Sequence, residues 1–200
     1  MISPLKILLS EGSSLSARQA ISALGMAGYR VDVCDPSAMC LGRFSRFVHR
    51  FYRCPSMGKD PWEYLDFIRR LLARKKYDVL FPTHEQAFLF SRMRDRMPPS
   101  VGLAVATFDS FLAVQGKAAF VRTLERLAIP QPESRIIRSE PELRTEHRFP
   151  FFLKLDYSTA STGTWRIDSP TSLARKVEEL RARGLFDGER EWVVQRPAVG

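Results

Sequence analysis

The chain has 200 residues, of which 44% are hydrophobic and 26% are charged, so it can bury the core of one medium domain or two small ones. Its apolar runs stay well below the roughly 20 residues of a membrane-spanning helix, and its first residues lack the apolar stretch of a secretory signal. We therefore expect a cytoplasmic globular protein.

Two further features of the composition bear on the class of site. The formal net charge of +9 favours nucleic-acid binding, because clustered Lys and Arg neutralise phosphates. The basic residues are instead spread along the chain, mostly at helical spacing and mixed with acids, so solvated helix faces explain most of them and nucleic acid is not an expected partner.

Cys34, Cys40 and Cys54 lack CxxC spacing and a His-rich neighbourhood, which predicts reduced thiols rather than a zinc site or disulfides.

The first 35 residues have the pattern of a strand, a helix and a second strand. An apolar run at residues 5–9 predicts the first strand, and Ala17, Ile21, Leu24 and Ala27 recur at helical spacing. Gly28 then ends the helix, and residues 29–34 alternate as a strand does. We expect a right-handed βαβ unit with parallel strands, as in doubly wound sheets.

Further alternation of strands and helices extends this first domain to residue 106. Residues 36–58 hold Pro, Gly and basic residues without clear periodicity, which predicts a surface segment that crosses the carboxyl edge of the sheet. A helix is expected from Asp60 to Leu72 and a buried strand over residues 77–81. A helix over residues 85–96, with Phe88, Leu89 and Met93 inward, and a strand over residues 101–106 complete the domain.

The second half of the chain has a different composition. Residues 107–132 predict two linker helices, over 108–114 and 117–128, that end at Pro130 and Pro132 because proline cannot continue a helix. After them, residues 133–200 predict a small α+β module. Its expected strands are 134–138, 151–155, 164–167 and 191–195, and its expected helix is 170–183.

Four stretches of this second half carry residues suited to a nucleotide. They are Gly116-Lys117 with residues 129–132, the strand 149–154 that ends in Lys154, the Ser/Thr-rich loop 156–164, and residues 192–200. In this order and spacing they resemble the ATP-grasp superfamily, in particular the branch of the carbamoyl-phosphate synthetase large subunit and biotin carboxylase. More loosely, residues 77–85 resemble a segment of that family's first domain. The resemblance implies an α/β fold: a Rossmann-like pre-ATP-grasp domain with a parallel sheet, followed by a small α+β ATP-grasp lid subdomain.

The resemblance also implies roles for individual residues. Lysines 117 and 154 would reach the phosphates of ATP, and the loop would fold over the β- and γ-phosphates through backbone N–H groups. The hinge that follows the last strand would pair with the adenine edge. The implied nucleotide-binding residues are Lys117, Lys154, Ser158, Ser161, Thr162, Gly163, Gln195, Arg196 and Ala198.

The sequence departs from the family pattern at several of these places. Gly116 stands where an aspartate is usual, Ala128 where a glycine is usual, and Arg196 where glutamate or lysine is common. The loop is rich in Ser and Thr, which still allow backbone amides to approach a phosphate, but only Gly163 has free access to positive φ.

Simpler explanations exist for the same residues. Lys117 also fits a solvated lysine at the start of a helix, and the Ser/Thr-rich loop also fits an ordinary hairpin turn. Lys154 ends an apolar run, so it needs a polar partner, and Asp156 is one candidate. His84-Glu85 could form an acid/base pair, but a helix-capping histidine explains it as well, and we assign neither residue a catalytic role.

The function implied by the resemblance is an ATP- and Mg²⁺-dependent ligase that joins a small carboxylate to an amine or another nucleophile through an acyl-phosphate. The expected metal ligands and nucleophile pocket lie beyond residue 200, so the 200-residue chain is expected to be inactive alone. A homodimer is plausible by analogy. Two alternatives remain: a non-catalytic module that binds nucleotides or polyanions, and an unrelated Rossmann-like enzyme, although residues 10–14 lack the GxGxxG of a dinucleotide site.

Overall fold

Residues 4–158 and 162–198 are described by the computed structural model of the protein. The chain divides into two units, Met1–Phe108 and Asp109–Gly200. The first is an α/β unit built on a parallel sheet, and the second is built on an antiparallel sheet. The predicted fold class is therefore confirmed.

The first unit contains five parallel strands in the order β3-β2-β1-β4-β5. They are β1 (Lys6–Leu9), β2 (Arg30–Asp35), β3 (Val48–Arg53), β4 (Val79–Phe81) and β5 (Gly102–Leu103). The helices that connect them are α1 (Leu15–Met26), α2 (Pro61–Lys75) and α3 (Gln86–Arg92). Alternate residues of β1 explain the two layers of core: Leu8 packs with residues of α2 and α3, whereas Ile7 and Leu9 pack with residues of α1.

The helices of this unit begin where their sequences provide caps. Ser14 Oγ accepts a hydrogen bond from the Ala17 N–H at 3.0 Å at the start of α1. Asp60 accepts from the N–H groups of Trp62 and Glu63, both at 2.9 Å, and Pro61 occupies the first turn of α2, where its missing N–H costs nothing. These local signals place both helices close to their predicted positions.

The expectation for residues 36–58 was wrong. The segment contains a 3₁₀ turn at Leu41–Phe44 and the strand β3, which pairs parallel with β2 at the edge of the sheet. An edge strand has a partner on one side only, and the side chains of Val48–Arg53 are half-buried or exposed. The strand therefore lacks the apolar pattern by which a buried strand is recognised.

Smaller differences lie at the end of this unit. The helix predicted over residues 85–96 ends at Arg92, and a 3₁₀ turn follows at Arg94–Arg96. Phe90 is its fully buried aromatic residue, whereas Phe88 packs against Phe108. The last predicted strand has only two residues in the sheet, Gly102 and Leu103.

The second unit contains four antiparallel strands in the order β6-β9-β7-β8. They are β6 (Ser134–Ile137), β7 (Phe151–Leu155), β8 (Thr164–Ile167) and β9 (Trp192–Gln195). The helices are α4 (Phe108–Gln115), α5 (Lys117–Arg126), α6 (Glu140–Arg144) and α7 (Pro170–Ala182). The five-residue helix α6 was not predicted, because it is too short to show a helical period.

The two faces of this antiparallel sheet pack against different helices. Leu153, Trp192 and Val194 face α7 and form the main core of the unit. Val193 and Ile136 face α5, where they meet Ala118 and Val121. This second face is the one that carries the candidate site.

Other structural expectations concern cysteines and membrane spans. Cys34, Cys40 and Cys54 are buried and free. Within residues 4–158 and 162–198, no helix combines the length and apolarity needed to cross a membrane.

Candidate functional site

The candidate site lies on the face of the second sheet that packs against α5. Successive side chains of a strand point to opposite faces, so Lys154 shares this face with Phe152, and Gln195 shares it with Val193. The register pairs Lys154 with Val193 and Phe152 with Gln195. Two polar side chains from adjacent strands are thereby brought together.

Lys154 extends over this face without a carboxylate partner among the described residues. Its Nζ donates a hydrogen bond to Gln195 Oε1, and Gln195 Nε2 donates to Ser134 Oγ at 2.9 Å. Desolvation by the surrounding protein lowers the pKa of Lys154 below its ordinary value. Asp156, the partner considered for Lys154, makes its hydrogen bonds elsewhere.

Lys117 begins α5 and reaches the segment that follows β7. Its Nζ donates to the backbone oxygens of Asp156 and Ser158, at 3.1 and 3.0 Å, and to Ser158 Oγ at 2.8 Å. Its pKa is lowered by desolvation, raised in part by the charge of Asp156, and lowered again by the charge of Lys154. The two ammonium groups therefore repel each other, which is an arrangement that an anion between or beside them would stabilise.

A pocket of about 270 Å³ lies beside both lysines. Its polar groups come from two lysines and two glutamines, and apolar side chains of α4 and α5, two prolines and Val193 supply the rest; the four polar residues are Lys117, Gln131, Lys154 and Gln195. Its volume is near the lower end of the roughly 300–1,000 Å³ that is usual for small-molecule sites, and its combination of apolar walls with a few polar groups is typical of them.

A larger cavity of about 630 Å³ in the same unit is less suited to an anion. Its main cations, Arg122 and Arg138, both donate to the carboxylate of Glu191. The lining as a whole holds three arginines and three carboxylates, so its positive charges are already compensated. The smaller pocket is therefore the better candidate, since its two lysines are not paired with carboxylates within the described ranges.

The predicted loop closes against the end of β7. Gly163 O accepts a hydrogen bond from the Leu155 N–H at 2.8 Å. A Cβ atom at Gly163 would lie 2.5 Å from Ser158 Cβ, so glycine is needed here for space. Gly163 is free to adopt a positive φ, but it does not adopt one. Thr162 and Gly163 line a second pocket, of about 400 Å³, with Ser158, and Ser161 lies outside the described residues.

Of the three predicted residues at and beyond the end of β9, one lies on the candidate face and two do not. Gln195 joins Lys154 to Ser134 as described above. Arg196 directs its guanidinium away from the pocket: it donates to Glu146 Oε1 at 2.6 Å and to the backbone oxygens of Arg148 and Pro150. Ala198 is exposed at the end of the described chain.

No protein-family model and no curated protein matches the sequence. The structure resembles an L-amino acid ligase from Bacillus licheniformis, with a TM-score of 0.74 and 14% identity over 100% of this chain and 48% of that one. It also resembles the biotin carboxylase domain of the Hydrogenobacter thermophilus 2-oxoglutarate carboxylase, with a TM-score of 0.74 and 15% identity over 96% and 44%. A third similar structure is a RimK domain ATP-grasp protein from Sphaerobacter thermophilus, with a TM-score of 0.60 and 18% identity over 98% and 64%.

The chain therefore shares the fold of a part of each of these structures. The chain spans about half the length of the first two structures. At 14–18% identity the likeness establishes the fold alone, so the roles of the individual residues depend on the contacts described above.

One residue near the site has a role that the sequence did not reveal. Asp156 was considered as a partner of Lys154, but its Oδ1 accepts a hydrogen bond from the Ala118 N–H at 2.7 Å, at the start of α5. Gly116 was the available signal, because a helix whose N-cap position is glycine needs an acceptor from elsewhere.

The structure also shows what His84 and Glu85 contact in the first unit. The two side chains contact each other, and α3 begins without a side-chain capping bond. The suggested capping role of His84 is therefore not observed.

Proposed function

We propose that the pocket beside Lys117 and Lys154 binds the phosphates of ATP, and that the second unit is the nucleotide lid of an ATP-dependent ligase. The observation that carries this proposal is the pair of partly desolvated lysines that face one site without carboxylate partners in the described chain. Each ammonium group repels the other, which raises the free energy of having both lysines charged. A bound polyanion lowers that free energy by attracting both groups.

The remaining parts of the pocket suit the other parts of a nucleotide. Val193 and the apolar residues of α5 offer a surface for the base, and Gln195 offers a polar edge beside it. The turn at Thr162 and Gly163 lies next to Ser158, which already contacts the Lys117 ammonium. In the proposed complex this turn supplies further N–H and O–H donors to the phosphates.

In the proposed reaction, a substrate carboxylate attacks the γ-phosphorus of ATP, the bond to the β-phosphate oxygen breaks, and ADP leaves. The acyl-phosphate then reacts with an amine or another nucleophile and releases phosphate. The contribution of this chain is to hold the triphosphate and to stabilise its negative charge. Following the order of its four motifs, we place it nearest to ligases like carbamoyl-phosphate synthetase and biotin carboxylase.

Magnesium is the metal expected with the nucleotide, and it would neutralise the phosphates and orient them. The similar carboxylase domain was solved with MgADP. In the part of this chain that the structure describes, no group of three or more His, Cys, Asp or Glu residues is placed to bind a metal ion.

The experiment that tests the proposal compares ATP binding and ATP turnover by the 200-residue protein. We expect weak ATP binding that is lost in Lys154→Ala and retained in Lys176→Ala, a matched lysine on α7. We expect no turnover above the Lys154→Ala background, because the chain spans about half of its structural relatives.

One result would contradict the expected inactivity of the 200-residue chain, and another would contradict the proposed nucleotide site. Turnover of ATP that depends on Lys154 would show that the 200 residues contain a complete active site. Salt-sensitive binding of a polyanion that is equal in the wild type and in Lys154→Ala would favour a non-catalytic binding module instead.

A further inference from the structure

The start of helix α5 is capped by a residue that directly follows strand β7. The first N–H groups of a helix have no partner within the helix, and side chains such as Ser or Asp usually satisfy them from the N-cap position. Here the N-cap residue is Gly116, which has no side chain. Asp156, at the end of β7, takes over this role: its Oδ1 accepts from the Ala118 N–H at 2.7 Å, and its backbone oxygen accepts from the Lys117 N–H at 3.3 Å.

Gly116 leaves the space that the carboxylate occupies. Its backbone has φ −77° and ψ 136°, which is an extended conformation open to any residue, so backbone freedom does not explain the glycine. A Cβ atom at this position would lie 3.0 Å from both carboxylate oxygens of Asp156. Such contacts are tighter than van der Waals packing allows without movement. The Asp156 carboxylate can therefore occupy this position only because residue 116 has no side chain.

The same aspartate fixes the position of the Lys117 side chain. Its backbone oxygen accepts a hydrogen bond from Lys117 Nζ at 3.1 Å, and its N–H donates to Glu191 O at 3.2 Å, which joins it to the segment before β9. Asp156 is only 9% exposed, so this carboxylate acts in a partly desolvated setting. Its charge favours the protonated form of Lys117, against the effects of desolvation and of Lys154.

We infer that Asp156 is a positioning residue: its carboxylate, in the space left by Gly116, caps the start of α5, and its charge favours the ammonium form of Lys117, which its backbone oxygen holds in place. The capping role depends on contacts within this chain alone. The consequence for nucleotide binding rests on the proposed function.

The first test separates the charge of Asp156 from its shape. Asp156→Asn keeps an oxygen acceptor for the Ala118 N–H but removes the charge, so we expect nearly unchanged thermal stability and a lower pKa of Lys117. Asp156→Ala removes both, and we expect the melting temperature to fall by about 2–4 °C. The pKa of Lys117 is measured by NMR titration of ¹³C-labelled lysine side chains. Asp168→Asn, which changes an exposed aspartate bonded to Arg166, is the control and should leave that pKa unchanged.

The second test asks whether Gly116 and Asp156 act as a pair. Gly116→Ala alone should destabilise the chain, because the new methyl group meets the carboxylate. In the Gly116→Ala/Asp156→Ala double variant the methyl group enters vacated space, so the loss should be smaller than the sum of the single losses. In Gly116→Asp/Asp156→Gly the acid occupies the N-cap position itself, and we expect stability to recover beyond that of Asp156→Ala.

Additive losses in the double variant, or an unchanged Lys117 pKa in Asp156→Asn, would overturn the inference. If Asp156→Ala fails to fold, the titration of Asp156→Asn decides alone. Neither the melting temperature nor the Lys117 pKa is measured with a nucleotide, so both test the inference even if the wild-type chain binds no ATP. Absence of ATP binding by the wild type would refute the proposed function, not this inference. If the chain binds ATP and the inference holds, Asp156→Asn weakens that binding while Asp168→Asn does not.

Discussion

Replacing Lys154 by methionine separates two effects of this lysine. One is its effect on the free energy of unfolding of the chain without ligand, and the other is its effect on the affinity for ATP in the proposed complex. Methionine has a similar length and fills the same space without the charge. The change relieves the desolvation of the ammonium, but it also leaves Gln195 Oε1 without the donor that Lys154 provides. Each effect is on the order of 1–2 kcal/mol and they oppose each other. We expect the free energy of unfolding to change by less than about 1 kcal/mol.

The effect on ATP affinity should be much larger. Two unit charges 4 Å apart interact by about 4 kcal/mol at an effective dielectric constant of 20, which sets an upper bound near the surface. A hydrogen bond to a charged group contributes roughly 1.5–3 kcal/mol net, which corresponds to a loss of about 10- to 150-fold in affinity. Lys154→Met should therefore weaken ATP binding by that factor while the fold remains intact.

The assay is an equilibrium titration with ATP at fixed ionic strength, alongside urea unfolding of the same samples. Lys176→Met is the matched control, since Lys176 lies on α7 and pairs with Glu179. Its effect on ATP affinity should be less than about twofold. Equal losses of affinity in both variants would mean that the lysines act only through the net charge of the chain. An affinity unchanged in Lys154→Met would refute the assignment of Lys154 to the phosphates.

Three further predictions concern stability. Desolvation lowers the pKa of Lys154 in the folded chain, so the unfolded chain binds more protons as the pH rises toward about 10.4, and the wild type gains stability. Any excess in the free energy of unfolding of Lys154→Met over the wild type, measured in urea, should therefore shrink from pH 7 to pH 10. An excess that grows would contradict the desolvation of Lys154. Leu153→Ala removes a side chain with no exposed surface and should cost about 2–5 kcal/mol; a loss below 1 kcal/mol would show that the core is not packed as described. Ser169 Oγ accepts from the Ser172 N–H at 3.2 Å at the start of α7, so Ser169→Ala should cost about 1 kcal/mol, whereas unchanged stability would show that the capping box contributes nothing.

Most of the second sheet could be predicted from the sequence because its strands carry local signals. Phe151–Leu155 and Trp192–Gln195 have apolar residues at alternate positions or throughout, and each is close to its predicted bounds. The period of two also places Lys154 and Gln195 on definite faces of their own strands. What the sequence does not provide is the register between strands, which pairs Lys154 with Val193 and thereby brings the lysine to Gln195.

The strand β3 shows where local signals fail. Val48–Arg53 includes Arg50 and Arg53 among its six residues and lies at the edge of the parallel sheet. Its stability comes from backbone pairing with β2, which is a nonlocal interaction, rather than from burial of an apolar face. A pattern search based on burial therefore misses it.

The site shows a similar limit. Lys117 and Lys154 were identified as candidates because lysines at those places match a recognisable pattern, and the structure places both beside one pocket. The role of Asp156 depends on a contact with Ala118, 38 residues away. The requirement for glycine at position 163 depends on the space beside Ser158. Both are tertiary relations, and neither has a signature in the local sequence.

The most direct test of the central proposal is an NMR titration of the ¹⁵N-labelled 200-residue protein with ATP, in which the shifted amides are mapped on the second unit. The proposal predicts saturable shifts around Lys117, Lys154, Val193 and Gln195, and little change along α7. Shifts confined to α7 or to the first unit, or no saturable shifts at millimolar ATP, would contradict it.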